Sequence, residues 1–96
     1  MQLTANESAG MLLVQVMDDR IDAAGAIQFK DGMRELAARG SGPVMLDMSR
    51  VAFLDSSGLG AVVAVMKLLG PDRKLELAGL TPTVEKVFRL TRMDSV

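Results

Sequence analysis

Apolar and polar residues alternate along this chain in short blocks of two different periods. Leu3 to Glu7 reads as a weak strand, and Ser8-Ala9-Gly10 as a turn. Met11 to Met17 (MLLVQVM) is almost continuously apolar, the pattern of a central strand covered on both faces. Asp18-Asp19-Arg20 breaks it. Asp22 then stands where a helix N-cap belongs, ahead of Ala26, Phe29, Met33, Leu36 and Ala37 at helical spacing. Gly40-Ser41-Gly42-Pro43 ends that helix. Val44 to Met48 is a second central strand, linked through Val51, Ala52, Phe53 and Leu54 to a second helical run that closes at Gly70-Pro71. Lys74 to Ala78 alternates charged and apolar residues, as an edge strand does. Thr81 and Pro82 open a third helix with Val84, Val87 and Phe88 as its buried stripe.

The predicted order is β-β-α-β-α-β-α. Strands separated by helices imply parallel crossovers, and the first two, joined by a tight turn, are antiparallel. The expected fold is α/β, a mixed sheet covered by helices mainly on one face. With 96 residues and no linker or repeat, it makes one domain with its own core.

Composition narrows the chemistry. A net charge of −1, with no basic run longer than Arg73-Lys74, argues against direct nucleic-acid binding. Without cysteine or histidine the chain has no disulfide, no zinc-thiolate site and no histidine-based triad. No cofactor is expected. The N-terminus lacks a secretion signal, and the longest apolar run, Gly58 to Met66, is about half a membrane span, so a cytoplasmic protein without membrane insertion is expected. Most of the eight methionines fall on predicted core faces, with Met93 the candidate for an exposed contact.

The most informative residues are Asp55-Ser56-Ser57-Gly58-Leu59-Gly60, where a strand hands over to the second helix. A hydroxyl there sits at the positive end of a helix dipole, a place suited to an anionic group. Neither serine lies in a Gly-x-Ser-x-Gly elbow, no Ser-x-x-Lys spacing occurs, and no lysine follows as in a P-loop, so an enzyme is not expected. Asp and Ser are good N-caps in their own right, but capping needs only one of the three. In the helix behind them Leu59, Val62, Val63 and Met66 make a core stripe, leaving Ala61, Val65 and Leu68 on a second side. Those three are expected to form an uncovered docking face.

The stretch from Val44 to Gly60 resembles the signature of STAS domains, in particular of bacterial anti-sigma factor antagonists. Arg20-Ile21-Asp22-Ala23 and Leu77-Ala78-Gly79-Leu80 add weaker matches, and the likeness covers nearly the whole chain. The resemblance implies a STAS-like fold and a partner-switching phosphoprotein in transcription regulation. Ser57 would accept phosphate from a serine protein kinase that is also the anti-sigma factor, and a serine/threonine phosphatase would remove it. Asp22 and Asp55 match the family's acidic positions near the phosphorylation site; Ser56, Gly58 and Leu59 complete the motif. The resemblance also implies that the chain stops about where the family's last strand and helix would begin, which leaves it a monomer or weak dimer. The alternative it carries is a non-phosphorylated scaffold subunit of a lipid-transport ABC system.

Overall fold

The computed structural model describes residues 1–90 of the chain. Strands β1 (Leu3–Ser8) and β2 (Met11–Val16) form an antiparallel hairpin, Leu3 opposite Val16 and Ser8 opposite Met11. Its two turn residues, Ala9 and Gly10, both take positive φ (53° and 80°), the twist that a two-residue hairpin loop needs. β4 (Val44–Asp47) lies parallel to β2, and β6 (Leu75–Ala78) parallel to β4, giving the order β1-β2-β4-β6. As the alternation of charge predicts, β6 is at an edge of the sheet among the described residues.

Two short strands escape the sequence pattern. β3 (Arg20–Ile21) and β5 (Phe53–Leu54) pair in parallel as a separate two-stranded ladder, Ile21 opposite Leu54. Two residues cannot display a period of two, so the same stretches read as a pattern break and a link.

Helices α1 (Ala23–Ala37), α2 (Ser56–Leu69) and α3 (Pro82–Leu90) share one apolar core with one face of the sheet. From β2 and β4 come Leu12, Val14, Val16, Val44 and Leu46; from the helices come Phe29, Met33, Val62, Val65, Val84 and Phe88. The expectation that β2 is covered on both faces is corrected here. Its residues alternate buried and half-buried, and Leu13, Gln15, Met45 and Asp47 border a shallow depression of about 400 Å³ on the other face. An apolar run reports strand type but not how many layers cover it. Of the methionines, Met33 and Met48 are fully buried, while Met11, Met17, Met45 and Met66 are half-buried. Met93 lies outside the described residues.

Thr81 stands at the N-cap position of α3, its carbonyl accepting the Glu85 N–H at 2.8 Å, while its hydroxyl donates to the Val51 carbonyl at 2.8 Å and fastens the start of α3 beside β5. Arg73 makes a comparable tie at the opposite end of the sheet. Its Nε donates to the Gly42 carbonyl and its Nη1 to the Ala37 carbonyl, both at 2.8 Å, so one guanidinium closes the C-terminus of α1 and the loop entering β4. Arg73→Ala is expected to lower stability by about 2 kcal/mol, because two charge-assisted bonds go and two carbonyls lose their donor. Urea titration reads it; a midpoint equal to the parent's would show that water replaces the guanidinium without cost.

Candidate functional site

The β3–β5 ladder determines what stands at the head of the two long helices. Each short strand runs straight into a helix whose N-cap is an aspartate with extended backbone. Asp22 Oδ1 accepts the Gly25 N–H at 3.0 Å, and Asp55 Oδ1 accepts the Gly58 N–H at 2.9 Å. Because Ile21 is paired with Leu54, these caps are neighbours; the Asp55 N–H itself donates to the Ile21 carbonyl at 3.4 Å. Two positive helix ends therefore meet in one place, each already holding a carboxylate.

Ser56 and Ser57 are the first two residues of α2. Both are exposed, and neither hydroxyl has a hydrogen-bond partner among the described residues. Their amides are among the donors that every helix start leaves without an intrahelical acceptor, and the Asp55 carboxylate meets only the Gly58 amide. Ser57 Oγ is thus an exposed, unpartnered hydroxyl with unclaimed N–H groups beside it.

Gly58 is buried and its role is steric. A methyl group built there would overlap the Ile21 carbonyl oxygen and come within 2.7 Å of Leu54 Cδ1, so only glycine lets the first turn of α2 lie on the ladder. Gly60 has nothing within 4 Å of the same construction.

The pairing of Ile21 with Leu54 sets Asp22 at the same end of the molecule as Asp55, Ser56, Ser57 and Gly58. The docking face expected from Ala61, Val65 and Leu68 is not formed. Ala61 and Val65 are only 2% and 1% exposed and belong to the core, while Leu68 is exposed at 47%. Leu59, Val63 and Met66, assigned to the core stripe, are half-buried instead; Val62 alone of that stripe is fully covered. The reason lies in packing: α1 lies along α2 and takes up a flank that the sequence leaves free, with small Ala61 among the buried residues of α2. Where nearly every position is apolar, periodicity fixes the helix but not its rotation.

Two further large apolar side chains are exposed among the described residues, and the sequence reading missed both. Ile27 (61%) sits on α1 just behind the Asp22 cap, off the buried stripe Ala26-Phe29-Met33-Ala37, a misfit that could have flagged it. Phe53 (43%) is the residue of β5 paired with Arg20, whose guanidinium lies 5.4 Å from the centre of its ring. Both belong to the elements that carry Asp22 and Asp55.

The fold and the motif now stand together. A family model described as "Mlab, STAS domain" matches residues 6–96. The chain belongs to the STAS domain family. A protein of Bordetella bronchiseptica named "Putative anti-sigma factor antagonist BtrV" is 30% identical over 97 residues, covering 100% of this chain and 83% of BtrV. Among solved structures, an anti-sigma factor antagonist from Mycobacterium paratuberculosis superposes with a TM-score of 0.85 at 23% identity, covering 98% of this chain and 80% of that one. SpoIIAA in its unphosphorylated form gives 0.75 at 20% identity, over 98% of this chain and 84% of that one. The phosphorylated form of SpoIIAA, from Bacillus, gives 0.67 at 19% identity, over 98% and 86%. These solved neighbours share the STAS fold seen here: the four-stranded mixed sheet with its three helices. Among the described residues no helix is long and apolar enough to cross a membrane.

Proposed function

We propose that this chain is an anti-sigma factor antagonist that acts by partner switching in the cytoplasm. The observation that carries the reading is Ser57 itself: exposed, unpartnered and held on the first turn of α2, with Phe53 and Ile27 exposed on the adjoining elements. In the unmodified state this end of the molecule docks an anti-sigma factor that is also a serine protein kinase. The kinase transfers the terminal phosphoryl group of ATP to Ser57 Oγ, which loses its proton as ADP leaves. A serine/threonine phosphatase hydrolyses the ester and restores the docking form. The chain is the substrate of both reactions, not an enzyme.

The physical effect of the ester follows from its surroundings. It adds close to two negative charges beside the carboxylates of Asp22 and Asp55. The amides of Ser56 and Ser57 can solvate it, so α2 tolerates the change. A partner packed over Ile27 and Phe53 would have to desolvate it. The names of BtrV and SpoIIAA support the antagonist role, and the two forms of SpoIIAA support control by phosphorylation.

The test is mass spectrometry of the protein taken from its native cells. A gain of about 80 Da on Ser57, in a fraction that changes with growth condition, is the expected result. A chain never modified under any condition and co-purifying with a transporter ATPase would replace the switch by the scaffold role.

A further inference from the structure

The seam between α1 and α2 has a pattern of its own. Ile27, Lys30 and Arg34 follow one another at i, i+3 and i+7 along α1, and Ser57, Ala61, Ala64 and Leu68 at i, i+4, i+7 and i+11 along α2. The two stripes face one another, for Lys30 and Arg34 line a groove of about 290 Å³ together with Ala64, Val65, Lys67 and Leu68. The floor is apolar and three of the six lining residues are cations. Lys30 and Lys67 have no acidic partner among the described residues, and Arg34 has only Asp31, at 3.5 Å on the exposed side of its own helix. Arg34 and Lys67 each suit the last turn of their own helix by the helix dipole. That does not account for Lys30, two turns into α1, turning to the same slot.

We propose that this groove is a second docking element of the switch, a basic-rimmed slot that takes one large apolar side chain from an acidic amphipathic helix of the partner. The inference rests on the partner-switching reading and adds the chemistry of the partner's surface. A volume at the lower limit of small-molecule pockets suits a single side chain, and the cations call for Asp or Glu three or four residues to either side of it. Leu68 lies about 16 Å along the α2 axis from Ser57 and on the same stripe, so a helix of about three turns laid on the seam would reach both. At that separation a phosphate on Ser57 is largely screened from the slot at physiological salt. The two elements therefore contribute separately: the slot sets which partner binds, and Ser57 sets whether it stays.

Site-specific photocrosslinking tests this. p-Benzoylphenylalanine is placed at Ile27 or at Leu68 of the full chain in its native cells, and the adducts are sequenced by mass spectrometry. Both positions are expected to mark the same protein, the Leu68 adduct on an apolar residue flanked by carboxylates at helical spacing. Lys30→Glu combined with Lys67→Glu should cut the Leu68 adduct about tenfold or more through like-charge repulsion. Lys67 is exposed and Lys30 half-buried, and an unchanged thermal midpoint would confirm that the fold survives. A missing Leu68 adduct, one on a segment without carboxylates, or one indifferent to the double reversal would overturn the slot. An Ile27 adduct abolished by Ser57→Asp would still uphold the switch in each of those cases. A charge-sensitive Leu68 adduct that persists in Ser57→Asp would do the reverse, sinking the switch and keeping the slot.

Discussion

Ser57→Asp is expected to bind the partner kinase about a hundredfold more weakly than the parent protein, a loss of about 3 kcal/mol, while its thermal midpoint stays level or rises slightly. The two readouts diverge because they depend on different neighbours. Within the folded chain, a carboxylate in the first turn of α2 meets the positive end of the dipole and gains about 0.3–1 kcal/mol. Across an interface the same charge joins Asp22 and Asp55 and has to be stripped of water. A drop in both quantities would indicate damage to the fold and not a switch. Titration calorimetry with the purified kinase, beside a thermal melt, separates these outcomes; parent-like affinity in Ser57→Asp would end the partner-switching proposal.

The glycines of the motif should respond in opposite senses. Gly58→Ala is expected to cost about 2 kcal/mol or more, roughly 10 °C in midpoint, because the new methyl meets the Ile21 carbonyl, a backbone atom that cannot swing aside. The first turn of α2 must lift off the ladder, and Ser57 moves with it. Gly60→Ala, two positions on and open to solvent, should instead gain about 0.5–1 kcal/mol from helix propensity. Equal responses from the two variants would mean that Gly58 is not the contact that seats α2.

Particular residues show what the sequence could and could not reveal. The three helices, the hairpin, the two central strands and the edge strand were all legible, since each is long enough to display a period or is bounded by Gly, Pro or a capping residue. Asp22 and Asp55 could be placed at helix starts because capping depends on near neighbours in the chain. The rotation of α2 could not be read: Ala61 and Val65 look as exposed as Leu68 until α1 is laid beside them. Ile27, Phe53 and Arg20 were missed for a related reason. They become a surface only when residues 20–21 and 53–54 pair, an event that joins segments more than thirty residues apart. Lys30 and Lys67 are likewise ordinary solvent-facing lysines in the sequence and neighbours of one groove in the fold.

The β3–β5 ladder has one more consequence. It clamps both helix starts by main-chain pairing, so a charge placed on Ser57 would not require them to move. On the partner-switching reading, each molecule is then either competent or blocked, with no slow conformational step between. Such a domain would work as a counter, with the number of unmodified copies read against the number of partner molecules. Output would stay near zero until the first exceeds the second and then climb steeply. Sensitivity in such a circuit would come from stoichiometry, and the contribution of the four-residue junction would be to keep a slow shape change out of it.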